Sequence, residues 1–317
     1  AKKPVHINVI LANTLLAPEG VHSLFGSEFE MKIDKMSYKL NTQVLEDVQL
    51  FDEALEICEK LADQTMNTKN ETIEVFTNIL QRQLKSGINK QISDSFYQIY
   101  DGFKIAKEKG RDSIWKFIVQ NLYKPYFYKE RFNYVIGNPP WFTYSAIRNE
   151  EYQNTLNELA VKYNVKPEKV ANFPHLEIAA IFLAYCSSYF LKNGGKIAFV
   201  LPRSFFSADH HDNTRSGKAE GFRISGIWDF QGINPLFRVP SCAIFADKTN
   251  GKKAIPAAGI EGSGFTGKLK EHNCNLETAK ALITETPVKW HYVKQGGSSA
   301  FSNVKTKASL EENPYKK

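Results

Sequence analysis

The chain has 317 residues, of which 42% are hydrophobic and 24% are charged, which argues against a disordered chain or a coiled coil. Its formal net charge of +7 favours polyanionic partners, although many basic proteins bind no nucleic acid. The four cysteines form no Cys-x-x-Cys pair, and no stretch has the ~18 apolar residues that cross a bilayer. These properties argue against a secreted disulfide framework and a membrane span, and we expect a cytoplasmic protein.

The amino-terminal part of the sequence predicts one strand followed by a helical region. Residues 6–11 are a run of β-branched and aliphatic residues that ends in a turn around Asn13, a pattern typical of a buried strand. From Phe51 onward, apolar residues recur at helical spacing. We therefore expect a first strand and loop in residues 1–44 and a helical insertion in residues 45–130.

Residues 131–250 predict strands that alternate with helices. Residues 175–191 are apolar on nearly every face and predict a buried helix, whereas the polar residues 204–221 predict a long loop. Alternation of this kind favours an α/β fold with a parallel or mostly parallel sheet and helices on both faces. Residues 251–317, rich in Gly, Ser and Lys, predict a C-terminal extension. The predicted strands of this region are residues 132–136, 196–201, 224–230 and 242–246.

The tetrapeptide Asn138-Pro139-Pro140-Trp141 follows directly after a predicted strand, at the edge where ligands bind in open α/β sheets. Two prolines fix φ and keep the residue before each of them extended, so this turn is stiff. The side-chain oxygen of Asn138 and the carbonyl of Pro139 can each accept one N–H of an exocyclic amine, and Trp141 can stack on a base. The alternative interpretation is a Pro-Pro turn that only ends a strand, with Trp141 in the core.

The sequence FNYVIGNPPW resembles the catalytic motif of amino-group DNA methyltransferases. The succession of a buried helix, GGKIAFVLP and RSFF is similar to the adenine-specific enzymes of restriction-modification systems. The resemblance implies transfer of a methyl group from S-adenosylmethionine to N6 of an adenine flipped out of double-stranded DNA. It also implies a Rossmann-like class I S-adenosylmethionine-dependent methyltransferase sheet, incomplete in this chain and carrying a helical insertion. The catalytic residues would then be Asn138, Pro139, Pro140 and Trp141.

Three further residues are assigned through this resemblance. Phe237 resembles the family's aromatic residue that contacts the flipped base, with ordinary core packing as the alternative. Asn13 stands where the family usually has an aspartate that contacts the adenine of S-adenosylmethionine, and an amide oxygen can accept from the same amino group. Asn133 also replaces a usual aspartate, and we interpret it as structural.

The family's glycine-rich cofactor loop has no counterpart ahead of residue 6. The chain therefore resembles an interior part of a longer enzyme, and we expect it not to methylate DNA alone. We expect the parent enzyme to contain a restriction endonuclease or a specificity region in addition to this chain.

The polar segment after the third predicted strand holds candidates for phosphate contacts near the target base, above all Arg203 and Arg215. The alternative is a solvated, mobile loop. The adjacent His210 and His211 have no matching Cys or Glu pair in the sequence around them, so we interpret them as polar surface and predict no metal site.

Two rival functions remain open at the level of sequence. Methyltransferases that modify a glutamine amide in proteins resemble the same Asn-Pro-Pro-aromatic pattern, and RNA adenine is a related substrate. The long helical stretch before the motif and the long tail after it favour DNA. A non-catalytic DNA-binding or assembly segment is the third interpretation.

Overall fold

The computed structural model describes residues 14–15, 28–33, 35–84, 87–110, 115–116, 119–120, 125, 127–295 and 298–303. The chain divides into two compact units, residues 1–129 and residues 130–317. The predicted divisions at 44/45 and 250/251 fall inside these units. The predicted strand 6–11 and the predicted cofactor residue Asn13 lie outside the described residues.

The first unit combines a β-hairpin with helices. Strands β1 (Glu28–Ile33) and β2 (Met36–Asn41) pair antiparallel, and both are absent from the prediction, although buried and exposed residues alternate along β1 as expected for a strand. Three helices follow, and each starts where a polar side chain accepts a hydrogen bond from the first turn: Asp47, Thr72 and Asn89. These helices are α1 (Val48–Gln64), α2 (Ile73–Gln83) and α3 (Lys90–Glu108).

Aromatic and aliphatic side chains close the core of the first unit. Phe51, Phe76 and Phe96 are completely buried, each on a different helix, and Met31 and Leu40 bring the hairpin into the same cluster. The apolar positions at helical spacing are therefore the buried face of each helix, and the predicted helical character of this region is confirmed.

The second unit is built on a seven-stranded sheet with strand order β3-β4-β6-β5-β7-β8-β9. The mixed α/β class predicted from the sequence is confirmed. Its strands are β3 (Phe132–Gly137), β4 (Leu191–Pro202), β5 (Glu220–Asn234), β6 (Ser241–Lys252), β7 (Ile260–Lys268), β8 (Ile283–Gln295) and β9 (Ser298–Ser302).

The predicted parallel or mostly parallel sheet is wrong for the described strands. Only the pairs β3–β4 and β5–β7 are parallel, and the other four neighbouring pairs run antiparallel. The reason is the connection between β5 and β6: residues 235–240 are too few to cross back over the sheet, so β6 returns antiparallel. β6 then lies between β4 and β5 and opposes both of them.

Residues 251–317, predicted to be a C-terminal extension, contain the strands β7, β8 and β9 of the large sheet. Glycines obscure the strand pattern of β7 because they remove the side chains that reveal alternation. Gly262 shows why glycine stands there: a Cβ at this position would lie 1.9 Å from the carbonyl oxygen of Ile227 on β5. The close approach of β7 to β5 therefore requires a residue without a side chain.

The helices of the second unit are α4 (Glu150–Lys162), α5 (Ile178–Tyr189), α6 (Asp212–Arg215) and α7 (Leu276–Leu282). The predicted buried helix is confirmed as α5, which packs on β4, β5 and β6. The predicted long loop 204–221 is wrong, because 3-10 helices cover Arg203–Phe206 and Asp209–His211 and α6 follows at once. Among the described residues, no helix has the length and apolar composition needed to span a bilayer.

Candidate active site

The loop that carries Asn138 starts at the carboxyl end of β3, the first strand in the order of the large sheet. Gly137 ends the strand where a Cβ would lie 3.1 Å from the ring of Phe199 on β4, so a small residue lets the loop turn close to the sheet. Pro139 is buried, whereas Asn138 is exposed and makes no hydrogen bond to any described residue. The loop is thus anchored in the fold at Pro139, whereas the carboxamide of Asn138 has no described hydrogen-bond partner.

Trp141 and Phe237 are separated by 96 positions in the chain, and the fold brings their rings together. The ring centroids lie 5.5 Å apart with an angle of 60° between the planes. The indole Nε1 of Trp141 donates to the carbonyl oxygen of Val200, 3.2 Å away, near the end of β4. Phe237 keeps 42% of its surface exposed, so the pair forms an aromatic wall with one accessible ring beside the loop.

Residues after Trp141 are tied to the beginning of α5. The backbone N–H of Ile178 donates to the carbonyl of Phe142 at 2.9 Å, and that of Tyr144 donates to Leu176 at 2.8 Å. Thr143 forms an antiparallel bridge with Glu177. The loop is therefore held at both ends, by β3 on one side and by the start of α5 on the other.

The side chain of Glu177 is the centre of a polar cluster next to this loop. Ser204 Oγ donates to its Oε1 at 2.8 Å, His210 Nε2 lies 3.3 Å from its Oε2, and His211 Nε2 also contacts Oε2. Burial opposes ionisation of Glu177, but hydrogen bonds from both histidines and from Ser204 outweigh it and lower the pKa of the carboxyl group to about 2.

The interpretation of His210 and His211 as polar surface is wrong for His211, whose residue exposure is 2%. Burial lowers the pKa of His211, against the opposing effect of Glu177. Its Nδ1 has no hydrogen-bond partner among the described residues. Sequence reasoning missed Glu177, which precedes the histidines by more than 30 positions, because only the fold brings the three side chains together.

Arg203 follows β4 directly and bridges to the next strand along the chain, β5, which lies beyond β6 in the sheet. Its guanidinium forms two parallel hydrogen bonds with Asp229 on β5, at 3.0 Å each, and lies 4.9 Å from the ring centroid of Phe206. Its backbone N–H donates to the carbonyl of Pro240 at 2.8 Å, in the β5–β6 connection that carries Phe237. Arg203 therefore fixes this connection through Asp229 and Pro240, and a phosphate contact by Arg203 stays a prediction.

Arg215 was predicted to contact phosphate, and the structure contradicts this, because the residue has 0% exposure. Its guanidinium donates to the carbonyls of Phe205 at 2.9 Å and Ala208 at 3.0 Å, and to both oxygens of Ser299 at 2.8 and 2.9 Å. Burial lowers the pKa of Arg215, opposed by the charge of Asp212. Arg215 therefore ties α6 to β9 and is closed off from a nucleic acid.

The comparison with family models agrees with the motif. The model of the Eco57I restriction-modification methylases matches residues 24–237, which is more than half of the chain. The chain belongs to this family. The match contains the loop 138–141 and ends at Phe237, so both parts of the candidate site of this Eco57I-family chain lie within it.

Comparisons with solved structures give partial similarities. The ATP-dependent Type ISP restriction-modification enzyme LlaBIII bound to DNA has 12% identity and a TM-score of 0.31, over 68% of this chain and 14% of that chain. A modification subunit of a putative type I restriction enzyme from Vibrio vulnificus has 13% identity and a TM-score of 0.33, over 57% and 40%.

A putative class I S-adenosylmethionine-dependent methyltransferase from Listeria monocytogenes has 13% identity and a TM-score of 0.30, over 73% of this chain and 68% of that chain. The Eco57I-family chain thus spans less than half of the two restriction-modification proteins to which it is similar. No curated protein matches it.

Proposed function

We propose that the chain carries the catalytic loop of a site-specific DNA methyltransferase that acts on N6 of adenine in a restriction-modification system. Membership of the Eco57I restriction-modification methylase family supports this proposal. The single observation that carries it further is the position of Asn138, which is exposed directly before a Pro-Pro turn and makes no hydrogen bond to the residues that the structure describes. An exposed amide that is hydrated by water contributes little to the stability of the fold. Stability therefore does not explain why an asparagine stands beside this rigid turn.

The loop suits an exocyclic amine as substrate. N6 of adenine has two N–H donors, and the Asn138 side-chain oxygen and the Pro139 carbonyl are two acceptors on one stiff turn. Accepting both hydrogens draws the nitrogen lone pair out of conjugation with the ring and makes it a better nucleophile. In the reaction this lone pair would form the new N–C bond while the bond between the methyl carbon and the sulfonium sulfur of the donor breaks. The sulfur would keep that electron pair, and the nitrogen would release one proton to solvent.

The aromatic wall of Trp141 and Phe237 suits the base itself. A base stacked inside duplex DNA cannot reach a loop at the end of a strand, so the adenine is flipped out at a cost of a few kcal/mol. Stacking on an accessible aromatic ring contributes about 1 to 3 kcal/mol per base and offsets that cost. Phe237, with 42% of its surface exposed, offers such a ring, while Trp141 is held in place by its bond to Val200.

S-adenosylmethionine, which we propose as the methyl donor, supplies an electrophilic methyl group when bound. The predicted cofactor residue Asn13 lies outside the described residues. Two cavities of the second unit are lined by other segments, one around Tyr163 and Lys248 and one around Glu168 and Asp212. Neither of these two cavities is lined by Asn138.

Double-stranded DNA is the partner that we propose for the chain, together with a restriction endonuclease or specificity region of the same system. The formal charge of +7 is of the sign that attracts a polyanion. Arg215 is buried and takes no part in this attraction, and the guanidinium of Arg203 is engaged by Asp229.

Glutamine in a protein and adenine in RNA are the rival substrates. Tritiated S-adenosylmethionine, offered with duplex DNA, RNA and protein in parallel, decides between them by the macromolecule that carries the label. We expect the label on the DNA, and we expect to recover it as N6-methyl-2′-deoxyadenosine after digestion to nucleosides. Label on protein or RNA alone would refute the DNA assignment.

A matched pair of variants tests the loop in the native full-length enzyme. Asn138→Ala removes one of two acceptors and is expected to lower methyl transfer on the order of 100 to 1000-fold, by analogy with the loss of one positioned hydrogen bond in other active sites. DNA affinity is expected to stay within a few-fold. Asn133→Ala changes the same residue type, also exposed, five positions earlier in β3, and is expected to leave turnover unchanged. Unchanged turnover in Asn138→Ala would make the loop structural and favour a non-catalytic DNA-binding segment.

A further inference from the structure

Three side chains from two distant segments converge beside the catalytic loop. Glu177, His210 and His211 each offer one ligand atom, and these atoms all lie within 4.8 Å of one another. We name them the His-His-Glu cluster. Glu177 comes from the start of α5, and the two histidines come from the 3-10 helix Asp209–His211.

The local backbone explains how neighbouring histidines can point to one place. In an extended segment, consecutive side chains point to opposite faces, but the tight 3-10 turn brings the rings of His210 and His211 to 4.5 Å between centroids, with 58° between their planes. Glu177 is the N-cap residue of α5, yet its side chain accepts no capping hydrogen bond from that helix. The carboxylate is directed to the histidines instead.

Apart from the two histidines, the described residues give the carboxylate an orienting partner but no lysine or arginine beside it. Ser204 Oγ donates to Oε1, and Oε2 is the oxygen that both imidazoles approach. The side chain of Glu177 is only 13% exposed, and among the described residues no lysine or arginine forms a salt bridge with it. Buried carboxylates are paired with a cation or coordinate a metal.

The ligand set fits a transition metal, and so does the separation between His210 and Glu177. Zinc is bound by imidazole nitrogen and carboxylate oxygen at about 2.0 to 2.2 Å, which places neighbouring ligands of a tetrahedral centre about 3.3 Å apart. The distance from His210 Nε2 to Glu177 Oε2 is 3.3 Å. A hydrogen bond on the second carboxylate oxygen, here from Ser204, is how proteins orient such a ligand.

We propose that the His-His-Glu cluster is a binding site for a divalent transition metal, with zinc as the ion that its ligands suit best. Solvent completes the coordination, because His210 is partly exposed. The ion holds the 3-10 helix against the start of α5. Through the Thr143–Glu177 bridge and the bond from Ile178 to Phe142, it also holds the carboxyl-terminal side of the catalytic loop. The metal therefore has a positioning role, and methyl transfer needs no bond to it.

Metal binding by the purified chain tests the site without any measurement of methylation. The chain is stripped with a chelator, incubated with zinc chloride, desalted and analysed for metal by mass spectrometry, and a parallel sample with cobalt chloride is read by visible absorption. We expect about one ion per chain and the absorption bands of tetrahedral cobalt. His210→Ala removes the more exposed ligand, and Glu177→Gln keeps the shape of the side chain but weakens its coordination. We expect both to lose the ion.

His175→Ala is the matched control, since His175 is an exposed histidine two positions before Glu177 and outside the cluster. We expect it to bind the metal like the unaltered chain. Circular dichroism establishes whether each variant is folded. If Glu177→Gln is not folded, the test rests on His210→Ala alone. Absence of bound metal in the folded unaltered chain, or equal binding by His210→Ala, would refute the site. Either result leaves the proposed methyltransferase function untouched, because that function is read by methyl label.

Discussion

The loop 138–141, which we propose to be catalytic, and the segment 203–215 were both predicted to contact the substrate, and the fold places their polar side chains in opposite environments. Asn138 is exposed and makes no hydrogen bond to a described residue, whereas Arg215 is fully buried and bonds to three residues of the chain. A polar group that the fold satisfies stabilises the fold, and one that the fold holds rigidly but leaves unsatisfied is available to a ligand. Whether the fold satisfies the hydrogen bonds of a side chain therefore distinguishes a structural residue from a candidate ligand-binding residue. The charge of the side chain does not make this distinction.

The largest effect on stability is expected at Arg215. Arg215→Met keeps much of the side-chain volume but removes every hydrogen bond of the guanidinium, so the carbonyls of Phe205 and Ala208 are left buried without a donor. We expect the free energy of unfolding to fall by about 3 kcal/mol. Urea denaturation followed by tryptophan fluorescence measures it. A loss below about 1 kcal/mol would contradict the structural role and reopen the possibility of phosphate contact.

Removal of the accessible ring of the aromatic wall is expected to have an intermediate effect, and this effect is on the affinity for DNA. Phe237→Ala removes the accessible ring beside Trp141, and we expect affinity for DNA with an extrahelical adenine to fall about 30-fold, which corresponds to the loss of one stacking contact of about 2 kcal/mol. Phe237→Tyr keeps a ring and is the control that should restore binding. Fluorescence of 2-aminopurine at the target position reports the flipped base. Equal affinity in Phe237→Ala and Phe237→Tyr would favour ordinary packing.

The smallest effect is expected at Arg223, an arginine whose side chain is 47% exposed and which lies 3.4 Å from Asp247. Exposed ion pairs contribute little because water and salt screen them, so Arg223→Ala should change the free energy of unfolding by less than about 0.5 kcal/mol. The same denaturation experiment measures it and provides the arginine control for Arg215→Met. A loss comparable to that of Arg215→Met would show that burial does not separate the two arginines.

Local sequence patterns were sufficient to predict the strand and the helix next to the candidate site. The predicted strand 132–136 corresponds to β3, and the predicted buried helix corresponds to α5. Both succeed because the apolar residues that fold the segment are contiguous in the chain. The motif Asn138–Trp141 was equally visible, since its stiffness comes from two prolines and needs no distant partner.

The sequence did not predict strands in which glycines or short runs of alternating polar residues weaken the apolar pattern. The hairpin β1–β2 alternates polar and apolar residues over only six positions per strand, and β7 contains three glycines among its nine residues. Strand direction was also missed, because β6 is placed between β4 and β5 by a short connection and by pairing with distant residues. A sequence pattern reports which face of a strand is buried but not which strand lies beside it.

The sequence by itself determined strand β3 and the buried helix α5 beside the candidate site, the rigid Pro-Pro turn and the family to which the chain belongs. Only the tertiary structure decided that Phe237 lies against Trp141, that Arg215 is enclosed, and that Glu177 meets His210 and His211. The physical reason is the range of the interactions. Propensity and prolines act on neighbouring residues, whereas burial and hydrogen-bond partners are set by segments tens of positions apart in the chain.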